Sequence, residues 1–487
     1  MTALVADRTG AGSAIRTQPM RHPDAADRAV MTRRGWWLVI LGFLIPGSPQ
    51  VLAGNRKLGR FGLGATILMW TLLVIAVLIA VLLRDFYFWL IGVGWLFAAI
   101  TVLAQGLLIG YAVLWIILGL NTLMLVKLVR IRTASRFGIA ALAAGLLVVS
   151  SGTATYAAGI VGTTRDTLGS VFASSAPPVA PSDGYYNILL LGADSGDGRD
   201  SMRFDSISVV SINADTGAVT ITGIPRDMPD VPFAPGPMQD LYPDGHYGVA
   251  DEECGWTSAI NQLNTELEIC RADEGLYPDA VANGSTPGIE ATKDAAEGVL
   301  GITIPYYVFI DMDHFAALID ALGGVQITVT ERLPEGGGPA YEGQPAEDWA
   351  IGWIEQGEQH MDGNTAQWYA RSRYTTSDWD RMRRQRELQE AMLKQFTPEN
   401  VLSRFQEIAK AGTAVMETDV PQSMMQPFLN LALKAKSQEV QKIELTPEGT
   451  PLLDGSTIDD TSPDFTAIQQ LIQERLHPPA AEDTPAP

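Results

Sequence analysis

The sequence is poor in the residues that most often carry catalysis. It holds two cysteines and five scattered histidines in 487 residues. A cysteine-dense disulfide scaffold is therefore excluded, and a histidine-built zinc site lacks clustered ligands. Gly-x-Ser-x-Gly, Ser-x-x-Lys, the Walker phosphate loop and His-Glu-x-x-His are all missing. The usual signatures of serine hydrolases, P-loop nucleotidases and zinc proteases go with them. Positive charge is scarce too, with 34 Lys and Arg against 55 Asp and Glu and a formal charge of −21. Nucleic acid is not an expected partner, because phosphate-backbone binding needs a basic face. Composition also rules out collagen-like and wholly disordered chains, and no internal repeat is visible.

What is present is unevenly placed. Residues 1–160 contain 14 Lys and Arg and 4 Asp and Glu, whereas the remainder contains 20 and 51. A basic, apolar front end is joined to an acidic, water-loving back end, in a chain long enough for two or three structural units. Residues 1–35 read as a cytoplasmic tail, and 36–160 as a transmembrane region of about five helices. Trp36–Ala53 is apolar but interrupted at Pro46, and Phe61–Leu83 is a clean run long enough to cross a bilayer. Asp85–Val126 is about twice that length and reads as two helices with a tight turn near Gln105. A last span runs from about Phe137 to Ile160. Arg33 and Arg34 before the first span, and Lys127, Arg130, Arg132 and Arg136 before the last, belong in the cytoplasm by the positive-inside rule. An odd number of spans then puts everything after Ile160 outside, although Arg56, Lys57 and Arg60 fall on the wrong side of this scheme. The spans carry almost no ionisable residues, which favours anchoring over an ion pathway. No cleavable signal peptide is expected.

Residues 161–183 form a Pro- and Ser-rich linker, 184–450 a globular domain, and 451–487 a tail that is partly disordered from His477. Within the domain, strands are predicted at Tyr186–Leu191, Ser206–Ile212, Ala218–Ile224, Tyr306–Asp311 and Val325–Thr330. The second and third are joined as a hairpin by the turn Ala214-Asp-Thr-Gly217. Helices are predicted at Ser258–Ile269, Glu290–Leu300, Asp313–Leu322, Asn364–Ser372 and Asp378–Phe396. The fold class is α/β, a sheet with helices on both faces behind a multi-span helical membrane region. Cys254 and Cys270 either pair and close a short loop, if this part is outside the cytoplasm, or remain as two buried thiols.

The chemistry is concentrated in arginine and aspartate. Asp194 follows one strand, and Arg203 and Asp205 precede the next. Two carboxylates at adjacent strand ends can share magnesium, which takes few protein carboxylates and completes its shell with water and phosphate; equally, they can cap turns. Gly223-Ile-Pro-Arg226-Asp227 ends the hairpin strand, where α/β proteins place ligand contacts, though a structural Arg–Asp pair reads the same way. The densest group runs from Tyr369-Ala-Arg371-Ser-Arg373 to Asp378-Trp-Asp-Arg381-Met-Arg-Arg384-Gln385-Arg386, with six arginines in sixteen residues. Arginine binds phosphate in bidentate fashion and stays charged at any relevant pH. A solvated charged helix is the alternative. Together the groups describe a magnesium-assisted polyphosphate site, with Asp378 as a general base towards a hydroxyl.

These motifs, in this order and behind a membrane anchor, resemble the LytR–CpsA–Psr family of cell-wall enzymes. Matching stretches are Asn187-Ile-Leu-Leu-Leu-Gly-Ala-Asp194, Arg203-Phe-Asp205-Ser-Ile, Ile224-Pro-Arg226-Asp227 and Tyr306-Tyr-Val-Phe-Ile-Asp311. Asp320-Ala-Leu-Gly-Gly-Val325, Met361-Asp-Gly-Asn-Thr-Ala366, Tyr369-Ala-Arg371-Ser-Arg373 and Asp378-Trp-Asp-Arg381-Met-Arg-Arg-Gln385 match as well. The resemblance implies a three-layer α/β/α domain with a mixed central sheet, outside the cytoplasmic membrane. Such enzymes join a glycopolymer carried on polyprenyl diphosphate to peptidoglycan through a phosphodiester, the acceptor being the 6-hydroxyl of N-acetylmuramic acid. By motif position Asp194 and Asp205 hold magnesium. Arg203, Arg226, Arg371, Arg373 and Arg381 surround the pyrophosphate, with Asp227, Arg384 and Gln385 as further substrate contacts, and Asp378 activates the acceptor. A long apolar pocket between sheet and helices takes the prenyl tail. Two departures stand out. Ser258-Ala-Ile-Asn261 has no lysine where the family often has one, and the anchor has several spans where one is common. Two rival readings keep part of the picture: a magnesium-dependent polyprenyl pyrophosphatase using water, and a non-catalytic membrane protein that binds wall polymer or regulates envelope genes.

Overall fold

A computed structural model describes residues 20–171, 177–193, 203–395, 404, 407–408, 411, 416–435 and 438–478. The chain divides into two compact units, Met1–Arg165 and Asp166–Pro487.

The first unit is helical: α1 (Arg28–Leu44), α2 (Ser48–Ala53), α3 (Arg56–Leu82), α4 (Arg84–Gly92), α5 (Gly94–Val126) and α6 (Thr133–Val171). The break at Pro46 is real. It separates α1 from α2, and Gly47 turns the chain there with φ +93°, a left-handed value that favours glycine. A Cβ on Gly47 would lie 2.6 Å from the Gly59 carbonyl oxygen, so the short helix packs almost backbone to backbone on α3. Among the described residues three stretches are long and apolar enough to cross a membrane: Arg56–Leu82, Gly94–Arg130 and Thr133–Ser170. The turn expected near Gln105 is absent, and α5 runs through it unbroken. Glutamine is a good helix former, and the Gln105 side-chain Oε1 accepts from Arg165 Nη1 at 3.2 Å. The chain breaks instead at Val93, between two glycines. Helix α6 also extends through the first half of the expected linker, to Val171.

The second unit is built on a six-stranded mixed sheet. Its strands are β1 (Tyr185–Ala193), β2 (Phe204–Asn213), β3 (Val219–Ile224), β4 (Tyr306–Asp311), β9 (Met416–Thr418) and β10 (Gln441–Glu444), in the order β10-β3-β2-β1-β4-β9. β1–β2, β2–β3 and β4–β9 are antiparallel, while β1–β4 and β3–β10 are parallel. The hairpin turn forms as its sequence demands. Asn213 Oδ1 accepts from Asp215 N and Thr216 N at 3.1 and 2.9 Å, and Gly217 takes φ +75°.

Period-two alternation sends the two sets of side chains to different layers. Leu189, Leu191, Ile207, Val209, Ile224, Tyr307 and Phe309 face a core completed by α9 (Pro287–Leu300) and α14 (Phe465–Leu476), with the short turns α7 (Pro237–Leu241) and α8 (Leu263–Thr265) at its margin. The opposite face carries α10 (Met312–Leu322), α11 (Gly363–Arg371), α12 (Asp378–Gln395) and α13 (Met425–Ala435). Two small ladders, β5 (Val325–Val329) with β8 (Gly357–Met361) and β6 (Leu333–Glu335) with β7 (Gly352–Ile354), extend this side. The predicted α/β/α architecture is therefore the observed one.

Two expectations need correction. The tail after residue 450 is part of the domain as far as Leu476: Ile458, Ile468, Leu471 and Ile472 are buried in the main core. A helix was expected over Ser258–Ile269, but this segment is a chain of 3₁₀, α and π turns. Its backbone donors go elsewhere, Ile260 N to Met228 O at 3.0 Å and Asn261 N to Arg226 O at 3.1 Å. Cys254 and Cys270 are joined as a disulfide.

Candidate active site

The site lies where β2 begins and β3 ends, against the first turn of α12. Arg226 follows β3 and donates through Nη1 to Asp205 Oδ1 on β2, while its Nε is 3.4 Å from Asp227 Oδ2. From α12, Asp378 Oδ2 accepts from Arg381 Nη2 at 3.0 Å, and its Oδ1 is 4.0 Å from Arg373 Nη1. Burial works against the charge on Arg226, but Asp227, Asp205 and Asp378 outweigh it and raise its pKa. On Arg381 burial prevails and lowers the pKa; Asp378 opposes, whereas Arg226 and Arg373 add to the effect. Arg226, Arg373, Arg381, Asp205 and Asp378 thus feel one another's charge, although the motifs that supply them are far apart in sequence.

The site is incompletely paired. Arg226 Nε, Arg381 Nε and Asp378 Oδ1 are buried atoms with no hydrogen-bond partner. Such atoms are costly unless something else completes them. An anion with several oxygens suits the two guanidinium edges, and a hydroxyl proton suits Asp378 Oδ1.

The remaining predicted residues divide. Arg203 stands exposed just before β2, and Arg371 is exposed at the end of α11. Asp194 lies outside the described residues. Arg384, expected to touch substrate, is buried and has another role. Its Nε donates to Tyr369 O at 3.1 Å and its Nη2 to Ser372 O and Thr376 Oγ1, so it fastens the α11–α12 loop that carries Arg373. Gln385 donates weakly to Ala370 O at 3.4 Å and lines an apolar cavity with Leu190, Phe315, Leu388 and Met392. That cavity is the place expected for the prenyl tail, yet it holds only 60 Å³, against roughly 300–1,000 Å³ for ordinary ligand pockets. Phe315, Leu388 and Met392 fill the space between sheet and helices.

Three residues of the quoted motifs have roles that the sequence did not assign. Asn261, in the segment without lysine, holds the Arg226–Asp227 turn through its backbone N and through Nδ2 to Asp227 Oδ1 at 3.3 Å. Arg386 is fully buried, with Nη1 on Gln389 Oε1 at 2.9 Å and Nε 3.8 Å from Glu444 Oε1. Gly223 makes room for that pair, since a Cβ there would sit 2.5 Å from Glu444 Oε2 and 2.8 Å from Arg386 Nε. A glycine inside a β-rich run was the one available signal.

The model of the LytR_cpsA_psr family matches residues 164–473. The chain belongs to that family. Among LytR_cpsA_psr relatives, a protein of Halalkalibacterium halodurans named polyisoprenyl-teichoic acid–peptidoglycan teichoic acid transferase TagU is 27% identical over 274 residues, which cover 54% of this chain and 70% of the relative. A protein of the same name from Enterococcus faecalis is 26% identical over 300 residues, 60% of this chain and 80% of the relative. Biofilm regulatory protein A of Streptococcus mutans is 25% identical over 297 residues, 60% of this chain and 64% of the relative. The crystal structure of B. subtilis TagV superposes with a TM-score of 0.39 at 21% identity, over 60% of this chain and 97% of that one.

Proposed function

We propose that this LytR_cpsA_psr protein is a phosphotransferase that joins a glycopolymer carried on polyprenyl diphosphate to peptidoglycan through a phosphodiester. The observation that carries the reading is Asp378 Oδ1, buried without a hydrogen-bond partner between Arg373 and Arg381. A muramyl hydroxyl placed there gives its proton to Asp378. Its oxygen attacks the glycan-linked phosphorus, the bond from that phosphorus to the bridging oxygen breaks, and polyprenyl phosphate leaves. Arg226, Arg373 and Arg381 offset the charge gathering on the phosphoryl oxygens, which is where phosphoryl transfer needs help. The names of the two TagU relatives support the choice of donor and acceptor.

Magnesium belongs to the same proposal. Among the described residues no cluster of three His, Cys, Asp or Glu side chains exists, so these residues by themselves do not make a complete cage. Magnesium does not require one, because one or two carboxylates plus phosphate oxygens serve. Asp205 fits, being 32% exposed with one oxygen bonded by Arg226; Asp194 is its proposed partner. A bound cation would polarise a phosphoryl oxygen and supply the positive charge a diphosphate needs in a site whose three aspartates and three arginines already cancel. In this reading the second unit works outside the cytoplasmic membrane, as the Cys254–Cys270 disulfide and the cluster of positive charge from Lys127 to Arg136 support.

The test uses the full chain in detergent with magnesium, a short polyprenyl-diphosphate glycan and peptidoglycan fragments. The expected product is a glycan–phosphate–muramyl adduct, seen by mass and lost with Arg373→Ala and with Asp205→Ala. Release of phosphate without adduct would replace the transferase by a pyrophosphatase. Donor binding with no turnover would leave a binding or regulatory protein, the role named for the Streptococcus mutans relative.

A further inference from the structure

Next to Arg373 the second unit carries an aromatic pair that the phosphoryl chemistry does not use. Tyr374 follows Arg373 directly and is 48% exposed. Its ring meets Trp349 edge to face, with centroids 5.1 Å apart at 71°, and its hydroxyl donates to Gly337 O at 3.1 Å. The approach is close enough that a Cβ on Gly338, whose φ is +100°, would overlap the Tyr374 ring at 2.2 Å. Ser372 Oγ donates to Pro334 O at 3.1 Å. The loop that carries Arg373 and the β6–β7 ladder are therefore tied at three points. Tyr341 and Ile351, 64% and 78% exposed, belong to the same β6–β7 connection. Between Glu335 and Asp348 this connection has four carboxylates and no lysine or arginine.

We infer that Trp349 and Tyr374 form a binding platform for the sugar backbone of the acceptor strand. Sugar rings present C–H faces that pack on aromatic rings, and hydroxyl groups that donate to carboxylates. A polymer rich in phosphate is repelled by the same carboxylates, so the platform suits an uncharged glycan better than a polyanionic donor. Its position says the same. It adjoins Arg373, whose Nη1 is 4.0 Å from the unpartnered oxygen of Asp378 that takes the hydroxyl proton, whereas the apolar cavity is lined by Gln385, Leu388 and Met392, further along α12. Pre-tying the platform to the catalytic loop converts strand binding into placement of the hydroxyl. This inference rests on the transferase reading for its direction, and on the geometry for its existence.

The experiment titrates the full chain in detergent, without donor, with N-acetylglucosaminyl–N-acetylmuramyl oligomers whose lactyl carboxyls are capped as amides, which leaves the backbone uncharged, and then measures transfer. In Trp349→Ala, glycan affinity falls and acceptor KM rises by about tenfold, the worth of one aromatic contact, with kcat and donor affinity unchanged. Tyr374→Phe keeps the ring and so keeps glycan binding within about twofold; thermal unfolding shows whether each variant is folded. Unchanged glycan affinity in folded Trp349→Ala overturns the platform, as does a loss confined to donor affinity. Glycan binding by a wild type that transfers nothing would sustain the platform and sink the transferase.

Discussion

Two charged clusters in the second unit use the same residue types to opposite ends. Around Glu266 the carboxylate is bonded at both oxygens, although Arg271 Nε makes its ion pair there without a hydrogen bond. The carboxylate is fully buried, Oε1 accepts from Tyr242 Oη and faces Arg271 Nε at 2.9 Å, and Oε2 meets His246 Nε2 at 2.9 Å. The other ring nitrogen of His246 lies 3.0 Å from Ser258 O, and a carbonyl can only accept, so that nitrogen carries a proton. Burial first, and the bond to Glu266 second, push the Tyr242 hydroxyl well above its ordinary range, so it remains a donor. The disulfide ends at Cys270, beside Arg271. Around Asp378 the network is open, with two arginine nitrogens and one carboxylate oxygen unpartnered. A carboxylate bonded at both oxygens holds a fold together; one left half-bonded between two arginines is free to take a ligand's proton.

Breaking each cluster separates the two. Asp378→Asn keeps the shape and removes the proton acceptor, so transfer should slow by about 10²–10⁴-fold, as loss of a general base does, with the melting temperature unmoved. Glu266→Leu should do the reverse. It leaves the buried His246 imidazole without its carboxylate and takes from Arg271 one of its two acidic partners, Glu274 remaining. The change costs roughly 3–5 kcal/mol and leaves the rate per folded molecule unchanged, and denaturant unfolding beside the transfer assay reads both. The Arg386–Glu444 pair is a sharper case, buried yet not hydrogen-bonded pair to pair. Arg386→Met or Glu444→Gln alone should each cost about 3–5 kcal/mol, and the double variant clearly less than their sum, as a double-mutant cycle reveals.

The smallest effect is a pH dependence. Glu297 accepts from Ile304 N, and burial raises its pKa from 4.5 to about 7. Between those values the folded state keeps a proton that the unfolded chain has lost, so stability falls as pH rises through this window and levels off above it. Glu297→Gln removes the penalty. The variant should gain about 2–3 kcal/mol on wild type between pH 4.5 and pH 8, followed by thermal unfolding; parallel curves would contradict the assignment.

Why the arginines were legible as a group and not as individuals follows from α12. Arg381, Arg384 and Arg386 fall within two turns of one helix, and composition cannot say which edge each occupies. The fold decides: Arg381 faces Asp378, Arg384 reaches back to the carbonyls before α12, and Arg386 turns under β3 to Glu444. The strands were legible because Tyr186–Leu191 is a nearly continuous apolar run and Ser206–Ile212 is rich in β-branched residues. The 258–269 segment was not, because its donors bond to a turn some 35 residues earlier, and no local pattern encodes that. Gln105 misled for a related reason: a polar residue in an apolar run marks a partner as readily as a turn.

The most direct measurement of the central claim follows the phosphorus. A donor labelled at the glycan-linked phosphate is given to the full chain with magnesium and peptidoglycan fragments, and the label is traced through the products. If the open cluster directs a muramyl oxygen onto that phosphorus, the label appears in the muramyl adduct of the wild type and in no adduct of Asp378→Asn. Label released as free glycan phosphate with every acceptor tried, or an adduct that lacks it, would contradict the account.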